Sequence, residues 1–317
     1  MIVQRPYCDD DLPLLQQALA QWIRRAGDCG YCHVGDLPHR IYENLRHKRN
    51  VGDYVTVWEE GDDIIGMAIQ FRFGCAFDVF TAPHYRGTDV ESQMLRSAAQ
   101  ATVSHMQTAA SFANDSFGEL WVTTDVYTCD DARIALLKAL GFEQFRQWDY
   151  VNERSLSDAL PPPDLPREYH MRSAKSQDAE QLARARNSAF GGNPDDNWTG
   201  DEYEREVMQK PGYDPNNEWV VIAPNGDIAA FTVIRLDPVN HIGLFEPVGT
   251  HRNYQRKGLA RALMSYALNV MRNAGMKIAR IEHDMTNAPA LALYRGLGFR
   301  LKYETVGFRR SALTNLL

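Results

Sequence analysis

The sequence predicts an α/β (α+β) protein that is built twice, as two tandem domains, each with a mixed, mostly antiparallel central sheet flanked by helices. Three observations predict it. The same order of elements runs through both halves of the 317 residues. A stretch with three consecutive prolines, Pro161, Pro162 and Pro163, separates the halves, and such a run continues neither strand nor helix. The segment 136–142 (LLKALGF) matches 293–299 (LYRGLGF), as if two equivalent helices ended alike. The expected domains are therefore 1–154 and 167–317, joined by a Pro-rich linker over 155–166.

In the first half, a short strand over 2–7 is followed by Asp9, Asp10 and Asp11 as N-cap candidates for an amphipathic helix carrying Leu14, Leu15, Ala18, Leu19 and Trp22. Strands over 54–58 and 64–73 flank a turn at Gly61-Asp62-Asp63, and a third strand covers about 75–80. A helix over about 90–107, a strand over 120–126, a helix over about 130–140 stopped by Gly141, and a strand over 145–151 complete this half.

The second half repeats the order. A strand near 169–172 and a helix carrying Leu182, Ala185 and Phe190 precede a polar insertion, and strands over 219–222 and 228–235 flank the hairpin signal Asn225-Gly226. A strand over 241–248 runs into the polar turn His251-Arg252-Asn253-Tyr254-Gln255-Arg256-Lys257-Gly258 and then an apolar-periodic helix. A strand over 277–282, a helix over 288–295 and a closing strand or strands over 299–308 follow.

The turn before Leu259 is the chemically informative stretch. A strand–turn–helix junction aims free amides and the positive end of a helix dipole at one spot. Arg256 and Lys257 add charge, while Gly258 and Ala260 leave room for close approach to the backbone. The expectation is a diphosphate cradle; the competing reading is a basic surface loop that caps a helix.

A formal net charge of −7 argues against general nucleic-acid binding and suits cationic small molecules. No apolar run reaches the ~18 residues of a membrane span, and the first ten residues lack the basic and apolar regions of an export signal, so a cytoplasmic location is expected. The five cysteines, Cys8, Cys29, Cys32, Cys75 and Cys129, are odd in number and are expected to be mostly reduced. The run Cys29-Gly30-Tyr31-Cys32-His33 matches a haem-attachment pattern and half a zinc site, but no second ligand pair stands at zinc spacing, so two packed thiols and no metal are expected.

Gln255-Arg256-Lys257-Gly258-Leu259-Ala260, followed by Asn287 and by Tyr294-Arg295-Gly296-Leu297-Gly298-Phe299, resembles the two signatures of the GNAT superfamily of acyl-CoA N-acyltransferases, in order and in their strand–turn–helix and strand–helix contexts. The resemblance implies two tandem GNAT-like domains, acetyl-CoA as acyl donor and a primary amine of a small molecule as acceptor. It places the pyrophosphate on Gln255, Arg256, Lys257, Gly258, Leu259 and Ala260, and the pantetheine arm on the main chain of Val248 and Thr250. Tyr294 is then the general acid for the leaving thiolate, against the alternative of a packed helix aromatic. Asn287 either holds the CoA arm or simply caps its helix.

Glu246 leads as general base, because without a bulge it shares a strand face with Val248 and Thr250. It stands nearer the glycine than the glutamate of several family members; His283, Asp284 or a water chain are alternatives. The family's acceptor region corresponds to 191–217, where Asp195, Asp196, Trp198, Asp201, Glu202, Tyr203 and Tyr213 suit a cation or form a solvated face.

In the first half Thr81, Pro83, Tyr85, Arg86 and Gly87 begin the same signature, but Asp89 and Glu91 replace its later small residues, and Leu137 and Asp130 replace the tyrosine and asparagine. Carboxylates facing a diphosphate repel it, so the first domain is expected to be a non-catalytic copy. The alternative for the whole chain is a non-catalytic acyl-CoA sensor or a partner-binding pseudo-enzyme.

Overall fold

The computed structural model describes residues 1–71, 74–108, 120–191 and 196–312. They divide into two compact units, Met1–Tyr150 together with Tyr303–Leu317, and Val151–Lys302.

In the first unit β1 (Ile2–Pro6), β2 (Val55–Glu60), β3 (Asp63–Gln70) and β4 (Phe77–Thr81) form an antiparallel sheet in chain order. The strand expected to reach residue 73 ends at Gln70, and 72–73 lie outside the described residues. Helix α1 (Asp11–Ala26) buries Leu15, Leu19 and Trp22 of the expected stripe, but Leu14 is exposed and Ala18 half-buried, and Leu12 and Ile23 complete the buried face instead. After β4 come α2 (Asp89–Thr108), β5 (Trp121–Tyr127), α3 (Asp131–Ala139) and β6 (Glu143–Ser155). Asp130 caps α3, its side chain accepting from the Arg133 amide.

The second unit contains β7 (His170–Ser173), α4 (Ala179–Phe190), the single turn α5 (Gly200–Tyr203), β8 (Glu218–Ile222), β9 (Ile228–Asp237), β10 (Ile242–Thr250), α6 (Leu259–Asn273), β11 (Ile278–Asp284) and α7 (Ala288–Gly296). β7 to β10 are antiparallel neighbours, and β10 then pairs in parallel with β11. One core packs Met264, Leu268, Tyr294 and Phe299 against Phe245 and Ile281 of the sheet. Another packs Leu182, Ala185 and Tyr203 on Val220 and Phe231.

The last strand, β12 (Arg300–Ser311), departs from the division expected in sequence. Its residues 305–311 pair antiparallel with β5, Thr305 opposite Tyr127 and Ser311 opposite Trp121, so the end of the chain completes the first unit. In return, the 151–155 end of β6 belongs to the second unit, where the Leu156 amide donates to the Lys277 carbonyl. Alternation reveals which face a strand buries, not which neighbour it pairs with.

The cysteine expectation also needs correction. Cys29 and Cys129 form a disulfide, with Cα atoms 6.2 Å apart, leaving Cys8, Cys32 and Cys75 free. The partners are separated by 100 residues, so spacing carries no sign of the pair. Cys29 is thereby spent on a bridge, while the buried His33 accepts the Gly35 amide through Nδ1 at 3.1 Å. Among the described residues no group of three or more His, Cys, Asp or Glu is placed to hold a metal ion, and no helix is long and apolar enough to cross a membrane.

Candidate active site

β10 positions everything at the site. It pairs with β9 as far as Thr250, whereas its registered pairing with β11 covers only Ile242 to Phe245, opposite Ile278 to Ile281. Main-chain groups alternate between the two edges of a strand, so beyond Phe245 those turned away from β9 lie outside the registered pairing with β11. Val248 and Thr250 lie on this stretch, as an extended arm joining the sheet would require.

The turn after β10 presents the amides that the sequence promises. Arg256 has φ 61° and Gly258 φ 78°, both left-handed, and Gly258 begins α6 without a side-chain cap. Among the described residues, none of the amides of 256–261 has an acceptor. Alternating left-handed residues at a helix N-terminus make a concave nest for an anion. A Cβ built on Gly258 meets no atom within 4 Å, so that side of the turn is open. The Gln255 side chain turns back, Nε2 donating to the Thr250 carbonyl at 3.4 Å, and the Arg261 guanidinium donates to the Gly296 carbonyl at 2.9 Å, tying the first turn of α6 to the end of α7. Arg256 is exposed, whereas the Lys257 ammonium donates to the hydroxyl of Tyr169, the residue before β7, at 3.1 Å, a partner that no motif indicates.

Tyr294 sits on the inner face of α7, 7 % exposed, with its ring 5.3 Å from that of His283 and 6.2 Å from that of Phe299. Burial pushes its hydroxyl above the ordinary tyrosine range, and the negative charge of Glu246 pushes it further. Among the described residues that hydroxyl has no hydrogen-bond partner. The structure thus brings Glu246 and Tyr294 into electrostatic contact, but not by the alternation expected. Glu246 and Pro247, joined by a cis peptide, face a single residue of β9, because the register shifts between Phe245 and Val248. This bulge puts both Phe245 and Val248 against the core under α6 and α7.

Among the alternative bases, Asp284 accepts both the amide and the hydroxyl of Thr286, at 2.7 and 2.6 Å, and so shapes its own turn. His283 Nδ1 lies 2.8 Å from the Asp284 carbonyl. Asn287 caps α7, its side chain accepting the Ala290 amide at 3.1 Å.

In the expected acceptor segment several side chains are engaged within the fold. Glu218, 0 % exposed, accepts the Tyr203 hydroxyl at 2.6 Å and the Tyr213 hydroxyl at 2.8 Å, while Trp198 packs edge-on to Tyr203. Glu202 reaches back to the Thr199 amide in a capping box. Asp195 lies outside the described residues. Asp196 is half-buried and Asp201 exposed.

The corresponding turn of the first unit is closed from within. Glu91 is fully buried; its Oε2 accepts the Gly87 amide at 2.5 Å and its Oε1 meets the Arg133 guanidinium, whose Nε donates at 3.0 Å. Arg86 pairs with Asp130 at 2.6 Å and donates to the Cys29 carbonyl at 2.8 Å. Asp89 stays exposed at the helix start.

The family model described as "Acetyltransferase (GNAT) family" matches residues 180–299, which hold both the cradle and Tyr294. These residues belong to the GNAT superfamily. The fold extends the likeness to the whole chain. A GCN5-related N-acetyltransferase from Sphaerobacter thermophilus superposes with a TM-score of 0.64 at 20 % identity, covering 98 % of this chain and 96 % of that one. A tandem GNAT protein from the clavulanic acid biosynthesis pathway does so with a TM-score of 0.66 at 14 % identity, covering 99 % and 100 %. The chain is a tandem GNAT-fold protein. In sequence, the mycothiol acetyltransferase of Segniliparus rotundus is 31 % identical over 156 residues, 48 % of this chain and 59 % of that protein. The chain spans less than two thirds of the length of such GNAT relatives.

Proposed function

We propose that the second unit transfers an acetyl group from acetyl-CoA to a primary amine of a small molecule by direct attack. The observation that carries this reading is Tyr294: a buried hydroxyl held in its protonated form by burial and by the charge of Glu246, beside the strand that runs into the amide nest. A module that only senses acyl-CoA has no use for such an acid.

In this reading the amides of 256–261 hold the diphosphate and the pantetheine arm lies along β10 beside Val248 and Thr250. Glu246 takes a proton from the incoming ammonium, and the amine nitrogen attacks the thioester carbon to give a tetrahedral intermediate. The C–S bond then breaks, the electron pair leaves on sulfur, and Tyr294 donates its proton to the thiolate. Asn287, engaged as a helix cap, keeps a structural part in holding α7 and hence Tyr294. Relatives named mycothiol acetyltransferases, which match more of this chain than the relative named for a ribosomal-protein acceptor, support a small-molecule acceptor.

The test is CoA release from acetyl-CoA across a panel of small primary amines, with the native chain and with Tyr294→Phe. Loss of the acid is expected to lower kcat about 10²-fold or more while CoA affinity stays within about twofold. An unchanged kcat removes Tyr294 from the mechanism.

A further inference from the structure

We infer that Tyr169, the residue immediately before β7, is a positioning residue that holds the diphosphate cradle in shape through Lys257. The inference rests on reading residues 255–260 as that cradle. Lys257 lies between the two left-handed residues of the turn, Arg256 and Gly258. Glycine enters that region freely, but arginine occupies it only where its surroundings hold it there. The hold visible in the structure is on the next side chain. The Lys257 ammonium donates to the Tyr169 hydroxyl at 3.1 Å and lies 5.8 and 5.5 Å from the ring centroids of Tyr169 and Tyr254.

Both rings are themselves anchored. Tyr169 is 7 % exposed and packs in a core with Leu259 and Leu263 of α6, and its amide donates to the Pro166 carbonyl at 2.9 Å. Tyr254 meets Tyr169 edge-on at 6.5 Å, and its hydroxyl reaches Asp227 at 2.7 Å and Asn225 at 3.1 Å in the β8–β9 hairpin. Lys257 is therefore fixed at its tip by two rings and at its backbone by the turn. With it in place, the amides of 256–258 converge before a ligand arrives, so the ordering cost is not charged to binding. Lys257 thus contributes through geometry as well as charge, and a residue outside both sequence signatures becomes part of the donor site.

The experiment is calorimetric titration of CoA into the full chain and into Tyr169→Phe, Lys257→Met and the double variant, with kcat measured at saturating acetyl-CoA. Phenylalanine keeps the buried ring, so the melting temperature is expected to match the parent. Its CoA affinity is expected to fall about 2- to 10-fold, the worth of one hydrogen bond, with kcat unchanged. Lys257→Met is expected to weaken CoA at least as much, and the double variant no more than Lys257→Met alone. Parent-like affinity in Tyr169→Phe, or additive losses in the double variant, would overturn the positioning role. A parent chain that binds no CoA would instead sink the cradle reading itself.

Discussion

The Gly87 amide donates to the Glu91 carboxylate at 2.5 Å, so in the first unit the anion at the turn is supplied by the helix that follows it. Glu91 is fully buried against Arg133, which is itself held by the Val79 carbonyl. A diphosphate could enter only by expelling a buried carboxylate and stranding a buried guanidinium, which is strongly unfavourable. Calorimetry is expected to give one acetyl-CoA per chain, bound at 256–261. A stoichiometry of two would mean that the Glu91 plug is displaced.

Burial and, after it, the charge of Glu246 raise the Tyr294 hydroxyl, which ties the proposed base to the pH profile of the proposed acid. Because the folded value lies above the ordinary ~10, the protonated, donating form persists through neutral pH and is lost only at high pH. Glu246→Gln removes the charge, so tyrosinate formation at Tyr294, followed by ultraviolet difference absorbance against Tyr294→Phe, is expected to begin at lower pH. The same variant is expected to lose about 10²-fold in kcat. An unmoved titration would place Glu246 away from the phenol.

Asp125 on β5 offers a stability test in the first unit. Although its side chain keeps 37 % of its surface exposed, desolvation by the protein around it pushes its carboxyl up to about 6, aided by the charge of Asp78 and opposed by Arg146, 3.8 Å away, and by Arg40. The folded value exceeds the unfolded ~3.9, so the stabilisation that comes with protonation is complete below about pH 4 and lost as the pH rises through about 6. Asp125→Asn is expected to raise the melting temperature at pH 8 and to leave it unchanged near pH 4. An equal shift at both pH values would assign the effect to packing.

The Cys29–Cys129 bridge predicts a thiol count. Titration of the denatured chain is expected to find three thiols before reduction and five after it, since Cys8, Cys32 and Cys75 are free. Cys29→Ser is expected to lower unfolding stability by about 2–4 kcal/mol. Five thiols without reductant would refute the bridge.

What could be read in advance was local. The glycine and small residue of the cradle, the Asn287 cap and the place of Tyr294 near the end of α7 all depend on residues a few positions apart. The placement of Glu246 turned on one non-local condition, the absence of a bulge, and the bulge in β10 is defined by the register with β9. The acceptor-segment tyrosines looked available in sequence, yet their hydroxyls end on Glu218, a residue outside the segment considered.

From the residues alone it followed that the fold is built twice, that only one of the two turns keeps the glycine and small residue of an open turn, and where Tyr294 stands on its helix, because helix and strand periods and backbone freedom are set by near neighbours. Tertiary structure decided the rest. It gave β12 to the first unit, joined Cys29 to Cys129, filled the first turn with Glu91 and clamped Lys257 on Tyr169. Each of these pairs residues brought together only by packing, where complementarity of charge, hydrogen bonds and shape selects the partner and sequence separation carries no information.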